Sequence, residues 1–596
     1  MDPTSPLMQD MVVRAHETFT LAVCLWNTTL DPKLLYHRYT ALKTYEAYPR
    51  VHSPHWDRIL RTAVGLWDLS ASKVSEVVAG LLPPMFVYVP FLFLSVPIVA
   101  YVVYQLYFHP LATYPGPLWA KLSGTRKAYH AWRGDLHYDM WECHQKYGPY
   151  VRYSPTYLIF NTTQACKDIY GHNKNMQKSA SYLAMVHNTP STFTLRNKKE
   201  HAWKKRILSQ KFSDSAIRSY EPEMLKLVDR LCDALCPKSS ERRESATPDA
   251  ESPWSEPFNM SAWCDNLFFD LMTTTIFGEN FDLLRSRWYR HIPEALSRSN
   301  KRVSVIVQWP LIIWRRLDKI LFKDSVHGRK EFLRFVHNLV TDRMTRGPRK
   351  DVFSGLLNAS DPTTGNKLSR DEIVAESILM IVAGSDTSST LLASMFFYMA
   401  KNPTKKARLV KEVRTCFATK EEVRLGAKLS SCRYLQACIS ECLRMAPPVA
   451  SAPIREVMVG GATVDGHHLP EGTDIGTGIY SIQHNEEYFP RPFDFLPERW
   501  LEEENPFGVN VSDALVPFSV GPRACLGKAL AIAEGSFATA YVCWTLDLDL
   551  VESMKDIGGG RKNGRHGRHR PDEYQLYDHI TSARNGPWIR FRRRDS

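Results

Sequence analysis

The chain has 596 residues, enough for one large domain with appendages or for two to four domains of ordinary size. Its 76 basic and 63 acidic residues give a net charge of +13, which fits an anionic membrane surface or an acidic protein, and no motif predicts a nucleic-acid partner. The twelve cysteines lack paired spacing, which argues against a disulfide framework and for reduced thiols facing the cytosol.

Residues 1–76 are rich in aromatic side chains but show no clear period. The apolar run from Phe19 to Trp26 is too short to span a bilayer and lacks the flanks of a cleavable signal peptide. The segment is interpreted as a folded extension, a lumenal extension or a gene-model artefact. Asn27 begins an acceptor pattern for N-glycosylation, and a glycan there would place the segment in the lumen.

Residues 77–108 contain no charged side chain. They include more than the ~20 apolar residues that a membrane helix needs, so the sequence predicts a single transmembrane anchor. The alternative is a buried hydrophobic hairpin. Basic residues that follow the span favour a cytosolic body on its C-terminal side; they are Lys121, Arg126 and Lys127.

The prolines of residues 109–117 predict a hinge, because proline ends a helix and stiffens the chain that follows. A single catalytic domain is predicted over residues 118–596. Two stretches inside it, 237–256 and 558–571, are predicted to be disordered insertions because of their polar, charged or glycine-rich composition. A plain solvated linker is the alternative for the second stretch.

A long apolar helix is predicted from Glu372 to Ala400, with Ala383-Gly384-Ser385-Asp386-Thr387 at its middle. Glycine, hydroxyls and an acid are locally unfavourable in such a helix, and they predict a distortion that opens a groove for a small ligand. A new helix that starts at Ser385 or Asp386 is the alternative. Apolar residues on both sides favour one continuous helix.

Charged residues recur at short spacing in the C-terminal third of the chain. Glu441 and Arg444 are three residues apart, a spacing usually found in exposed ion pairs of small value. Arg499 lies in Pro497-Glu498-Arg499-Trp500, and Arg455 begins a strand-rich stretch. A basic helix is predicted from His201 to Phe212, and the default interpretation of such a run is a solvated helical face.

The stretch Phe518 to Gly527 places Cys525 in a loop that leads into an apolar helix. Glycines allow a backbone to approach a flat or bulky group, and a thiolate near a helix N-terminus is a good ligand for a soft or borderline metal. The alternative is a buried free cysteine, which is the commoner fate of a lone cysteine. Phe-x-x-Gly-x-Arg-x-Cys-x-Gly fixes five positions in ten and favours the metal ligand.

This decapeptide resembles the haem-binding loop of the cytochrome P-450 family. The 383–387 motif, Glu-x-x-Arg, Pro-Glu-Arg-Trp and the cysteine loop occur in the order of that family, and the resemblance covers residues 109–596. It implies the cytochrome P-450 fold, mainly α with small β-sheets, preceded here by one N-terminal transmembrane helix. The motifs are most similar to fungal membrane-anchored members of secondary metabolism, such as the trichothecene C-15 hydroxylase group.

The resemblance also implies roles for single residues. Cys525 would be the axial ligand of the iron of haem b, with Phe518 shielding the sulfur and with Gly521 and Gly527 shaping the loop. Asp386 and Thr387 would guide protons during oxygen activation. Basic residues would contact the haem propionates; they are His201, Lys205, Arg455 and Arg523. A buried network would hold the cysteine loop; its members are Glu441, Arg444 and Arg499.

The implied activity is a monooxygenase reaction that inserts one oxygen atom of O2 into an apolar small molecule, a polyketide or terpenoid intermediate of fungal secondary metabolism. Electrons would come from NADPH through NADPH–cytochrome P-450 reductase. The expected location is the endoplasmic reticulum membrane, with a single span and a cytosolic catalytic domain. The alternatives are a haem-thiolate isomerase or dehydratase that needs no reductase, and a non-catalytic membrane-anchored protein.

Overall fold

The computed structural model describes residues 95–237, 254–347, 349, 351–508 and 512–594. The chain divides into two compact units, Met1–Thr113 and Tyr114–Ser596, and the division falls within the predicted hinge. The predicted extension, most of the predicted anchor and most of the 237–256 insertion lie outside the described residues.

The described part of the first unit contains an apolar helix, Ser95–Phe108, whose last turn is a π-helix. It is the C-terminal end of the predicted anchor, and its large apolar side chains are exposed. Within the described residues, one helix has the length and hydropathy to cross a membrane, Arg370–Lys401, and most of its apolar window is buried inside the protein. The transmembrane anchor over 77–108 therefore stays a prediction.

The second unit is mainly helical with small sheets, as predicted. Its helices are α1 (Leu118–Leu122), α2 (Thr125–Arg133), α3 (Leu136–Tyr147), α4 (Thr163–Tyr170), α5 (Lys198–Ser209), α6 (Asp214–Leu235), α7 (Met260–Phe277), α8 (His291–Gln308), α9 (Leu317–Leu321), α10 (Lys323–Thr345), α11 (Val352–Leu357), α12 (Arg370–Lys401), α13 (Pro403–Cys416), α14 (Ala427–Ser430), α15 (Arg433–Met445), α16 (Ile479–Gln483) and α17 (Lys528–Thr545). The predicted basic helix corresponds to α5.

The strands are short. They are β1 (Tyr150–Ser154), β2 (Tyr157–Phe160), β3 (Met176–Lys178), β4 (Phe258–Asn259), β5 (Arg455–Val457), β6 (Ala462–Val464), β7 (His467–Leu469), β8 (Asp474–Thr477), β9 (Leu546–Leu550), β10 (Tyr577–His579), β11 (Thr581–Ala583) and β12 (Trp588–Arg593). The largest sheet has the order β1-β2-β8-β5-β3, in which β2 and β8 are parallel and the other pairs are antiparallel. A second sheet has the order β4-β12-β9, while β6–β7 and β10–β11 are separate hairpins.

The long helix α12 runs through the core and packs on α7, α15 and α17. A capping box starts it, since Ser369 accepts from the backbone N–H of Glu372 and the Glu372 carboxylate accepts from the Ser369 backbone N–H. The helix then continues through the 383–387 motif, so the alternative start at Ser385 or Asp386 is wrong. The expected distortion is also not seen, because α12 is helical throughout its length.

Gly384 has a packing role in this helix. A Cβ atom there would lie 2.1 Å from the sulfur of Met272 in α7, well inside van der Waals contact. The hydroxyl of Thr387 donates to the carbonyl of Ala383 at 2.6 Å, which satisfies it within the helix without a break. The glycine therefore permits close contact between α7 and α12.

The 558–571 stretch differs from the predicted disordered insertion. Arg568 donates to the carbonyls of Gly134 at 2.9 Å and of Leu576 at 2.6 Å, and the guanidinium lies over the ring of Tyr138. The backbone N–H of Arg561 donates to the carbonyl of Arg568 at 2.9 Å. These contacts hold the stretch against the segment that joins α2 to α3, so it is a packed loop.

Candidate active site

The cysteine loop has a defined backbone geometry. The N–H of Cys525 donates to the carbonyl of Phe518 at 2.8 Å, which closes the loop three residues before α17 begins at Lys528. Gly521 has φ +72°, and a Cβ there would lie 2.0 Å from the carbonyl oxygen of Tyr170. Only glycine fits this position, because a side chain would meet both a left-handed backbone conformation and a fixed carbonyl.

Cys525 is the one exposed cysteine among the described residues. Desolvation by its surroundings raises the pKa of the thiol, although the Gly527 N–H, Lys205 and Lys528 act in the opposite direction. The backbone N–H favours the thiolate, as expected near a helix N-terminus, and so do the two lysines, but desolvation outweighs all three, so the net shift is opposite to the predicted one. Coordination to a metal ion deprotonates a thiol outright, so the accessible sulfur is suited to a metal partner.

A cluster of cationic side chains accompanies the cysteine loop. Lys178, His201 and Arg455 are 5%, 7% and 4% exposed, and none of them nor Arg523 forms an ion pair with a carboxylate in the described part of the chain. Desolvation, together with the charges of Arg523, Lys178, Lys205 and Arg455, lowers the pKa of His201 to about 3, so this imidazole is neutral near pH 7. Positive charge on the buried lysine and arginine members is costly without an anionic partner.

The same causes act on the other members of the cluster. Desolvation, followed by Arg455 and Arg523, lowers the pKa of Lys178 well below its ordinary value. Desolvation and Arg455 also lower the pKa of Arg523, to about 10. The two carboxylates of haem b would neutralise such a cluster, while the accessible thiol supplies an iron ligand. These residues therefore fit a haem-thiolate group.

Backbone carbonyls hold the lysines and arginines of the cluster in place, including Lys178, which donates to Phe193, and Arg455, which donates to Ile454 at 3.2 Å. Arg523 donates to the carbonyls of Leu195 at 2.7 Å and of Arg196 at 3.0 Å, and the ammonium of Lys205 donates to the carbonyl of Pro522 at 2.8 Å. Lys205 thus contacts the cysteine loop itself. The cluster joins the segment before α5 to that loop.

Lys178 was not predicted from the sequence. It lies opposite Arg455 in the antiparallel pairing of β3 with β5, which brings together residues almost 280 positions apart in the chain. Its ammonium lies 4.5 Å from the ring centroid of Tyr182 and 4.1 Å from that of Phe193. No local sequence signal marks this lysine, because its role depends on a long-range strand register.

Asp386 and Thr387 point in different directions, since adjacent residues of a helix are about 100° apart. Thr387 lies on the same face of α12 as Ala383, and Ala383 is exposed while Thr387 is half-buried. The carboxylate oxygen Oδ2 of Asp386 accepts from Thr581 at 2.9 Å and from Asn300 at 3.2 Å. Desolvation, and next the charge of a neighbouring aspartate, raises the pKa of Asp386 to about 6. This carboxyl group can therefore gain or lose a proton near neutral pH.

The structure brings Glu441, Arg444 and Arg499 into one buried network. The carboxylate of Glu441 accepts two hydrogen bonds from Arg444, both at 2.9 Å, and one from Arg499 at 3.1 Å. The indole N–H of Trp500 and the backbone N–H of Leu496 also donate to it, each at 2.9 Å. Burial would raise the pKa of Glu441, but the two arginines outweigh it and hold the pKa below its ordinary value.

Comparison with known proteins finds one family that matches most of the chain. Residues 114–555 match the family model described as "Cytochrome P450". The chain is 42% identical over 504 residues to "Cytochrome P450 monooxygenase poxM" of Penicillium oxalicum, which covers 84% of this chain and 94% of that protein. It is 42% identical over 503 residues to "Cytochrome P450 monooxygenase AKT7" of Alternaria alternata, covering 83% and 95%. It is 40% identical over 503 residues to "Cytochrome P450 monooxygenase atnE" of Emericella nidulans, covering 82% and 93%.

Proposed function

Because the chain belongs to the cytochrome P450 monooxygenase family, we propose that its catalytic unit binds haem b at Cys525 and inserts one oxygen atom of O2 into an apolar small molecule. The observation that carries this proposal is an accessible thiol beside a buried cationic cluster without carboxylate partners in the described chain. When bound, haem with a thiolate ligand supplies the electron-rich iron that favours O–O cleavage.

The residues of the chain bind and orient the group. The sulfur of Cys525 would ligate the iron, and Phe518, whose ring packs against the hydrophobic core, would shield that sulfur. Basic side chains that lie close together would hold the propionates; these are Lys178, His201, Lys205, Arg455 and Arg523. The Glu441 network fixes the segments before the loop, so it supports the site without touching the reacting atoms.

Asp386 and Thr387 handle the protons that the reaction consumes. The Asp386 carboxyl, with a pKa raised to about 6, holds a proton in part of the molecules at neutral pH and can release it. The hydroxyl of Thr387, bonded to the carbonyl of Ala383, lies on the exposed face of α12 and presents an oxygen there.

The substrate class and the electron source extend this proposal. We take the substrate to be a polyketide or terpenoid intermediate of fungal secondary metabolism, which is supported by similarity to monooxygenases of several fungi. The trichothecene C-15 hydroxylase subgroup remains a prediction from the motifs. NADPH-derived electrons through NADPH–cytochrome P-450 reductase are supported by the net charge of +13, which suits an acidic protein partner.

Location in the endoplasmic reticulum membrane is supported by apolar surface. The helix Ser95–Phe108 exposes large apolar side chains, and so does the 311–321 segment of the catalytic unit, where Leu311 and Leu321 are 69% and 65% exposed. Such patches are typical of protein or membrane contacts. A glycan on Asn27 that an endoglycosidase removes would support a single span with a cytosolic catalytic unit. Release of the full chain by alkaline carbonate would contradict it.

The haem proposal has a direct spectroscopic test. Purified full chain should show a Soret band and, after reduction and addition of carbon monoxide, the red-shifted band that thiolate ligation produces. Cys525→Ala should abolish that band, whereas Cys416→Ala, at a half-buried cysteine in α13, should leave it unchanged. A band that survives in Cys525→Ala would show that another residue ligates the iron.

Turnover separates the monooxygenase from its alternatives. Product formation should require NADPH, the reductase and O2, and the product should carry one atom from labelled O2. Full turnover without NADPH would show an isomerase or dehydratase instead. A purified chain that binds no haem would indicate a non-catalytic membrane-anchored protein.

A further inference from the structure

Three polar side chains from three separate elements meet at the proposed acid. The hydroxyl of Thr581, in β11, donates to Oδ2 of Asp386 at 2.9 Å. The amide of Asn300, in α8, donates to the same oxygen at 3.2 Å and to the hydroxyl oxygen of Thr581 at 3.0 Å. The triangle ties α12 to α8 and to the β10–β11 hairpin through one carboxylate oxygen.

Two charged groups face this triangle from neighbouring elements. Arg584 follows β11; it is buried, donates to Thr390 at 2.8 Å and pairs with Asp265 of α7. Asp265 also accepts from the hydroxyl of Ser389 at 2.8 Å. Asp265 opposes ionisation of Asp386 and Arg584 favours it, so the two partly cancel. The hydrogen bonds from Thr581 and Asn300 then favour the ionised form of the Asp386 carboxyl, and single substitutions can remove them.

The hairpin is built to hold Thr581 in place. Its tip is the single residue Ile580, with φ +78°, a left-handed conformation that a β-branched residue rarely adopts. Both strands are anchored to other parts of the fold: Asp578 donates through its backbone N–H to the carbonyl of Gly134 at 2.9 Å, and Ser582 does so to Pro448 at 2.9 Å. A backbone held at a strained tip by flanking contacts is typical of a functional position.

We propose that Thr581 and Asn300 are positioning residues for Asp386: their two hydrogen bonds hold one carboxylate oxygen and set how readily the acid releases its proton. This inference rests on the proposed function of Asp386. In the step concerned, the O–H bond of the Asp386 carboxylic acid breaks, the proton passes to a water molecule, and the carboxylate that remains is stabilised by the two donors. No electrons are transferred in this step.

The expected change has a defined direction. Both donors stabilise the carboxylate, so removal of either one shifts the titration of Asp386 to higher pH. A hydrogen bond to a charged group corresponds to a shift of about one pH unit. Thr581→Val removes the donor and keeps the shape of the side chain, while Thr581→Ser keeps the donor. Thr463→Val, at an exposed threonine of the β6–β7 hairpin, is the matched control.

The test uses the full chain with haem bound and two measurements. The first is the infrared carbonyl band of the protonated acid, identified as the band that Asp386→Asn removes, followed as a function of pH in the resting enzyme. The second is the pH profile of product formation, with hydrogen peroxide release as the measure of wasted electrons. In Thr581→Val both titrations should move upward by about one pH unit, and peroxide release should rise several-fold.

Thr581→Ser should restore both titrations, and Thr463→Val should leave them at their original positions. Asn300→Ala removes the other donor to the same oxygen and should shift the carbonyl band in the same direction. This variant keeps the test available if Thr581→Val does not fold. An unshifted carbonyl band in both Thr581→Val and Asn300→Ala would overturn the proposal. The infrared measurement needs no turnover, so a failure of the proposed reaction would be seen separately, as absence of NADPH-dependent product.

Discussion

Replacement of Glu441 by glutamine should strongly destabilise the catalytic unit. The carboxylate accepts five hydrogen bonds, from Arg444, Arg499, Trp500 and Leu496, and it is fully buried. Glutamine has one acceptor oxygen, so the donors on the other side would face an amide N–H₂ group. Arg444 and Arg499 would also lose the negative charge that balances them within this network, because Glu441 is the carboxylate that pairs with both.

The magnitude follows from that geometry. Breaking a buried ion pair by removing one partner costs about 3–5 kcal/mol, because a charge remains buried without compensation. An exposed pair contributes about 0–1 kcal/mol. Glu503 supplies the control, since it is 82% exposed and lies 3.6 Å from Arg433. Glu441→Gln should thus lower the free energy of unfolding by at least 3 kcal/mol, and Glu503→Gln by less than 1 kcal/mol.

Urea unfolding of the full chain, followed by circular dichroism and by the haem absorption band, measures both variants. The pH dependence gives a second criterion. Because the pKa of Glu441 is lowered by Arg444 and Arg499, its contribution is present above the ordinary carboxyl pKa and is lost as the pH falls through the lowered value. Glu441→Gln should remove that acid dependence. A loss of stability below 1 kcal/mol, or an unchanged acid dependence, would refute the reasoning.

Three further predictions concern the cofactor site and the core. Arg455→Leu should release haem to apomyoglobin about tenfold faster than the wild type, since one cation that faces the propionates is lost; an unchanged rate would remove Arg455 from the site. Gly384→Ala should cost up to about 3 kcal/mol because the buried Met272 side chain must move, and urea unfolding should show a smaller cost when the change is made in a Met272→Ala background and compared with Met272→Ala alone. In haem-free protein, iodoacetamide should label Cys525 before the other cysteines, and the labelling rate should rise at alkaline pH because the pKa of the thiol is raised. Bound haem should protect Cys525 from labelling. Labelling of buried cysteines before Cys525 would contradict this prediction.

Local motifs explain what could be predicted. The cysteine loop, the Glu441–Arg444 pair and the 383–387 motif are each contiguous or nearly so in the chain, and their spacing alone limits the chemistry they can support. The sequence indicated that Cys525 belongs in a tight loop before a helix, and the structure has that arrangement. It also indicated one continuous helix from 372 to 400, and α12 matches this interpretation within a few residues.

Where the prediction went wrong, the cause was a contact with a distant residue. Gly384 was expected to distort α12, but it allows α7 to approach through Met272, a neighbour more than a hundred residues earlier. The 558–571 stretch was expected to be disordered because of its composition, and Arg568 holds it against the α2–α3 segment. Composition and local pattern carry no information about such partners.

The sequence by itself identified the family and supplied the proposed iron ligand and the proposed acid, because these depend on residue types at short, fixed spacing. Only the tertiary structure decided what surrounds them. Strand pairing places Lys178 opposite Arg455, and the β10–β11 hairpin places Thr581 on Asp386, 195 residues away. A side chain's pKa and its partners are set by burial and by neighbours in space, and the fold creates both.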